Sequence, residues 1–272
     1  MSDRSWDYIH GYSTLEQERL IQQAQYWRDD LILRDLKYNS GEKLLEIGCG
    51  AGAVLGILGR AFPNLEMAGI DLEAKQISYA RQHLDRLGFN HVDLRVGNAE
   101  RLPWQDNTMD RIYAIWFLEH LSDPASVLQE AKRVLKPQGT ITITETDYRT
   151  IIISPESADY RYLQDGLCEL LLSSGGNPYI GQSLGNLLTK TGFKKVENKA
   201  LSFHYSYSQS KQQLQQLITY IDSWLAPTIP QIAEKLHQDR ARLIAGLEWF
   251  RDVATKGNGA ATVTVYRVSA IK

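Results

Sequence analysis

Lys43-Leu44-Leu45-Glu46-Ile47-Gly48-Cys49-Gly50-Ala51-Gly52 decides how this chain folds. A short run with the pattern of a buried strand passes directly into three alternate glycines, which let a backbone turn sharply and approach a ligand closely. A helical stretch, Val54–Phe62, follows, so the turn joins a strand to a helix. Further strand-like runs come at Leu65–Asp71, Val92–Val96, Arg111–Trp116 and Thr140–Glu145, separated by helical patterns at Ala74–Leu87 and Ala125–Leu135. Strands alternating with helices at this spacing predict a parallel sheet covered on both faces, with ligands at its carboxyl edge. Asp123 as cap and Pro124 at the first position, which needs no amide hydrogen, mark one helix start.

Upstream, Ser13 and Glu16 form a capping-box pattern, and Leu20, Ala24, Trp27 and Leu31 extend one apolar stripe to about Leu36. Residues 1–40 are therefore expected to be a helical lid segment on a binding domain of residues 41–272. Downstream, helices are predicted at Ser157–Leu172, Ser183–Thr191, Lys211–Leu225 and Ile229–Ala254, with strands at Lys194–Lys199 and Ala261–Ala270. The expected architecture is a Rossmann-like, doubly wound, mostly parallel seven-stranded α/β sheet. Helical insertions at about 146–191 and 209–257 are expected to cover a pocket.

The 272 residues are 43% hydrophobic and 10% aromatic, enough for a packed core, and 30 basic against 32 acidic residues give a net charge of −2. No basic block with interleaved aromatics predicts nucleic acid as a partner. The first residues lack the apolar core of a signal peptide, and no stretch approaches the ~18 apolar residues of a membrane span, so a cytoplasmic protein is expected. Cys49 and Cys168 have no metal-ligand spacing and read as reduced core residues.

Asp71 ends the second strand 21 residues after Gly50, placed to accept from both hydroxyls of a ribose. Gly48, Gly50 and Ala53 also satisfy the G-x-G-x-x-A pattern of nicotinamide enzymes. Glu46 argues against that reading, since a carboxylate sits poorly beside a pyrophosphate but can meet a cationic amine.

Glu46-x-Gly48-x-Gly50-x-Gly52, Asp71, Gly97-Asn98-Ala99-Glu100, Trp116-Phe117-Leu118-Glu119-His120-Leu121-x-Asp123-Pro124 and Arg133-Val134-Leu135-Lys136-Pro137-x-Gly139 together resemble the class I S-adenosylmethionine-dependent methyltransferases, over residues 41–145. The resemblance implies S-adenosyl-L-methionine as cofactor and no metal. Glu46, Gly48 and Gly50 would line its methionine part, and Asp71 with Leu72 would hold the ribose. Asn98 and Ala99 would flank the adenine, and Trp116 and Phe117 would border the sulfonium. Asn98 departs from the family's usual Asp, but its amide oxygen can still accept a hydrogen bond. Outer motifs, including Tyr8-x-His10-Gly11-Tyr12-Ser13, Thr144-Glu145-x-Asp147 and Gly181-x-x-Leu184, resemble the UbiE/methyltransferase-11-like bacterial subgroup. Many members of the wider group act on quinones, sterol-like lipids or natural products.

His120 is a candidate general base, against a plainer role in shaping the turn. Glu145 and Asp147 follow the fifth strand, at the mouth where the resemblance places acceptors. They are candidates to orient an acceptor or take its proton, or else belong to a solvated loop or cap the following segment. Tyr8, His10 and above all Tyr12 are candidates to close over the cofactor. His204, Tyr205 and Tyr207 fit a pocket wall or an ordinary half-buried strand, and Asn177-Pro178-Tyr179 reads as a turn. The expected reaction is methyl transfer to N or O of a small hydrophobic or aromatic metabolite, in specialised metabolism, by a monomer or homodimer. The alternatives are C-methylation of a quinone-like ring, methylation of protein or RNA, and a non-catalytic cofactor-binding protein.

Overall fold

A computed structural model describes Ile9 and residues 11–272. Tyr8 and His10 lie outside the described residues.

Strands β1 (Lys43–Ile47), β2 (Glu66–Asp71), β3 (Asp93–Val96), β4 (Met109–Ile115) and β5 (Leu135–Thr146) are mutually parallel in the order β3-β2-β1-β4-β5. Three helices connect them: α2 (Ala53–Ala61), α3 (Ala74–Arg86) and α4 (Pro124–Val134). The central strands β1, β2 and β4 carry consecutive buried residues, so both of their faces are covered, as in a sheet sandwiched between helices. Leu44, Leu45, Ile70, Ile112 and Ile141 are all essentially inaccessible to solvent. The start of α4 is as predicted, with Asp123 accepting from the amides of Ala125 and Ser126 and Pro124 at the first position.

The sheet has eight strands rather than seven. The extra one is β6 (Ile152–Ser154), three residues too short to show a pattern in the sequence. The closing strand β8 (Ala260–Ile271) runs antiparallel to β5, β6 and β7 (Lys194–Ser206). Strand β7 is longer than its predicted Lys194–Lys199, because alternation of half-buried residues continues through Tyr205 against Ala261. His204 bonds Thr262 across this ladder at 2.8 Å, so the half-buried-strand reading of His204 and Tyr205 holds.

Helix α1 (Thr14–Tyr26) stops ten residues short of the predicted end, giving way to a π-turn at Arg28–Ile32. Ser13 accepts from the Glu16 amide at 3.2 Å, as expected, but the Glu16 carboxylate turns to Arg19 at 2.6 Å instead of reaching back. The remaining helices are α5 (Ala158–Ser173), α6 (Leu184–Lys190), α7 (Tyr207–Leu225), α8 (Ile229–Lys235) and α9 (Arg240–Arg251). The single helix predicted over Ile229–Ala254 is thus two, because His237 takes a left-handed conformation (φ 53°) and Asp239 caps a fresh start at Ala241 and Arg242. Helices α5, α7, α8 and α9 pack with β8 into the largest core, which includes Leu163, Leu214, Ile218 and Phe250. That packing sets them over the carboxyl edge of the sheet beside β5. Among the described residues no helix is long and apolar enough to cross a membrane.

Candidate active site

The glycine turn after β1 opens the site. Gly48, Gly50 and Gly52 all have positive φ (72°, 47° and 72°), the region that glycine enters without a steric penalty. A Cβ on Gly48 would stand 2.3 Å from the Phe117 ring, whereas at Gly50 it would meet only a Leu20 methyl at 3.5 Å. Gly48→Ala is therefore expected to displace Phe117 and weaken cofactor binding at least about tenfold, the equivalent of ~1.4 kcal/mol. Calorimetry on the folded variant checks this, and wild-type affinity would show that the turn tolerates the side chain.

Asp71 fastens the turn from the next strand. Its Oδ2 accepts from the Gly50 amide at 2.9 Å and its Oδ1 from the Glu73 amide at 3.0 Å. Burial raises its pKa from the usual aspartate value, and those backbone donors pull the other way. Asn98 organises the loop after β3, its Oδ1 accepting from the Glu100 amide at 2.8 Å.

After β4 the chain is held by an unusual contact. Trp116 has φ 49°, a strained value for a bulky residue, and such strain persists only where the surroundings over-determine it. Here the Trp116 amide donates to the Thr144 carbonyl at 2.9 Å and its indole to Thr146 at 3.0 Å. The next two amides, of Phe117 and Leu118, both donate to Glu145 Oε1, at 3.0 and 2.7 Å.

These loops wall a cavity of about 240 Å³ that crosses the strand ends from β3 to β8. Of the sequence candidates, Gly48, Gly50, Asp71, Leu72, Asn98 and Ala99 line it on the β1–β3 side. Tyr12, Trp116, Phe117 and His120 line it as well. The three acidic candidates Glu46, Glu145 and Asp147 do not. Glu46 lies behind the turn, buried, and its backbone partner is the Leu55 amide; burial raises its pKa well above the usual range. Glu145 is fully buried, its Oε1 taken by two amides of the loop after β4 rather than placed at the mouth. Asp147 is likewise buried; it caps a short turn at the Arg149 amide and pairs with the Arg149 side chain at 2.6 Å. Neither stands at the acceptor mouth, Asp147 matching instead its alternative reading as a cap on the following segment, and the cavity wall is made by their neighbours Thr146 and Tyr148. Tyr205 and Tyr207 do not line it, and Asn177-Pro178-Tyr179 forms a turn closed by the Asn177 side chain on the Tyr179 amide at 3.0 Å.

Residues missed in the sequence complete the wall beside β4, β5 and β8. Trp27, Leu171, Tyr220, Ile221 and Trp224 reach in from the helical layer, with Val263 and Val265 from β8. Glu119 and Tyr148 join His120 there; the Tyr148 hydroxyl donates to Glu119 Oε1 at 3.3 Å, and His120 Nε2 lies 3.6 Å from the same oxygen. Burial pushes the Glu119 carboxyl well above the usual range, with Glu145 adding to the effect, and lifts Glu145 up to about 8. Burial, with help from Arg19, pushes His120 down to about 4, so its imidazole is neutral at physiological pH.

Comparison with known proteins meets this geometry directly. A family model for a methyltransferase domain matches residues 38–219, more than half of the chain. The chain belongs to the class I S-adenosylmethionine-dependent methyltransferases. It is 26% identical over 205 residues to a demethylmenaquinone methyltransferase of Bacillus cereus, covering 71% of this chain and 86% of the relative. An uncharacterised protein in a transposon of Streptomyces fradiae is 31% identical over 165 residues, 60% of this chain and 46% of that one. The chain thus spans less than half the length of that relative. In three dimensions it resembles the Haemonchus contortus phosphoethanolamine N-methyltransferase 2 structure, with a TM-score of 0.63 at 16% identity, covering 99% of this chain and 59% of the other. S-adenosylmethionine is the cofactor of this methyltransferase.

Proposed function

We propose that this methyltransferase transfers its methyl group to N or O of a small hydrophobic or aromatic acceptor. The observation that carries the reading is the unlike character of the cavity's two sides. Beside β1–β3 the wall is glycine backbone, the Asp71 carboxylate and the polar Asn98 turn, whereas beside β5 and β8 it is dominated by Trp27, Tyr148, Leu171, Tyr220, Ile221 and Trp224. A few placed polar groups in an otherwise apolar concavity is the usual make-up of a small-molecule site.

The first side fits S-adenosylmethionine on features of the structure itself. At Gly50 a Cβ would meet no more than a Leu20 methyl at 3.5 Å, the Asp71 oxygens keep lone pairs beyond their backbone bonds, and Gln76 Oε1 is buried on the wall without a partner. In this reading Asp71 and Leu72 hold the ribose, Asn98 and Ala99 the adenine, Gly48 and Gly50 the methionine part, and Trp116, Phe117 and Tyr12 border the methyl. Bound there, the cofactor supplies a methyl carbon already activated by a positive sulfur. The chain's task is then to hold the acceptor in line and keep water out, and positioning of this kind is worth roughly 7–11 kcal/mol. The loop from Trp116 to Leu118, pinned through Glu145 and Thr146, supplies that rigidity.

Purified enzyme with methyl-labelled cofactor and a panel of lipophilic amines, phenols and quinols is expected to put label into extractable small molecules. Label confined to the protein or RNA of a lysate would end the reading. Methylation of a ring carbon in a quinol is the second reading, which the Bacillus cereus relative supports.

A further inference from the structure

Resting on the small-acceptor reading, we propose that the acceptor is a lipophilic amine, its nitrogen held by Glu119 inside an arc of aromatic side chains. The rings run in sequence along the cavity wall. Trp116 and Trp27 are 6.3 Å apart between centroids, Trp27 and Tyr220 5.6 Å, Tyr220 and Trp224 6.3 Å, and Trp224 and Tyr148 5.9 Å. Tyr148 then bonds Glu119, so a carboxyl closes the arc. All six side chains line the one cavity. Glu119 is 3% exposed, and its Oε2 has no hydrogen-bond partner, a costly state for a buried polar atom unless a ligand completes it. Aromatic faces with a single acidic group are suited to nitrogen that carries or gains positive charge.

Charge conservation separates the possible nucleophiles. When an amine lone pair forms the new N–C bond, the carbon–sulfur pair leaves with sulfur. One positive charge passes from sulfur to nitrogen, and the total charge in the cavity is unchanged. The amine enters neutral, its ammonium proton left in solvent, and leaves as an ammonium that carries only its own N–H protons. A phenol or a quinol carbon must instead shed a proton and become an anion in a place that penalises anions. Burial raises the acidic groups there, with Glu119 and Tyr148 pushed up and Tyr220 to about 12. His120, near 4, is too weak a base to keep the proton of a phenol, whose ordinary pKa is about 10. The same desolvation favours the neutral, nucleophilic form of an amine. Among the described residues, Arg19 brings a cation to this wall, and it pairs with Glu16 at 2.6 Å.

Tyramine, which offers an amine and a phenol on one skeleton, is the decisive probe, with tryptamine and dibenzylamine beside 2-naphthol and 1,4-naphthohydroquinone. Fragmentation of the products is expected to place the methyl on nitrogen, with the naphthols untouched. Methylation of the phenol or of the quinol carbon with the amines untouched overturns this inference and leaves the small-acceptor reading standing; label found only in macromolecules removes both. Glu119→Leu is expected to raise KM for the amine about tenfold or more, with kcat less affected and calorimetric affinity for S-adenosylhomocysteine unchanged. Glu119→Gln, which keeps an acceptor oxygen, restores most of the loss. An unaltered KM in the leucine variant removes Glu119 from the assignment, and the wild-type product test stands whether or not that variant folds.

Discussion

Asp71→Ala is expected to lower affinity for S-adenosylmethionine by about 100-fold, corresponding to ~3 kcal/mol for hydrogen bonds to a charged group. Two losses combine. In the proposed binding mode the ribose hydroxyls lose their acceptor, and the amides of Gly50 and Glu73 lose the oxygens that fix the turn, each now within 3.0 Å. Asp71→Asn separates them, because one amide oxygen can still hold a backbone donor while the second acceptor is gone; an intermediate affinity is expected. Calorimetry with S-adenosylhomocysteine on variants of native circular dichroism is the measurement. Wild-type affinity in the alanine variant would remove Asp71 from the cofactor's contacts.

Glu145 acts on stability, and the size of its effect follows from what it holds. Glu145→Ala strips the acceptor from two amides of the loop after β4 and leaves a void, at an expected cost of about 3 kcal/mol or more. Glu145→Gln retains an oxygen for both amides and is expected to cost far less near pH 5. The pH dependence has a definite sign. Burial raises the folded-state pKa of Glu145 to about 8, so the protonated form belongs to the folded state. Its contribution is complete below the ordinary carboxylate range and is lost as pH rises toward 8. Wild-type stability should therefore decline between about pH 4.5 and 8, and the Gln variant should decline less, Glu119 still contributing in the same direction. Urea unfolding at the two ends of this range checks it; identical slopes would contradict a buried, titrating Glu145.

The side of the cavity proposed for the cofactor was legible in the sequence because its residues are local. Gly48, Gly50, Asp71, Asn98 and Trp116 each follow a strand in a repeating βα series, so knowing the strands places them along one edge. The acceptor side was not. Trp27, Glu119, Tyr148, Tyr220 and Trp224 are scattered over nearly 200 residues and meet only through the antiparallel end of the sheet and the helices packed on it. Glu145 was misplaced although a signal existed. It alternates with Ile141 and Ile143 and therefore shares their buried face, whereas Thr144 and Thr146 face the other way. A carboxylate in register with core isoleucines is there to satisfy a buried donor. In the pair Glu119-His120 the eye goes to the histidine, yet the glutamate has the unpaired oxygen.

Because β1–β4 pair only among themselves and with β5, none of their ladders involves α5 or α7, which roof the far half of the cavity. On the proposed assignment, swapping Leu171 or the Tyr220–Trp224 turn of α7 for other residues retunes what is accepted while the grip on the methyl donor stays intact. The chain is divided like a lathe, with a fixed chuck and an exchangeable bit, and new customers can be served by changing the bit alone.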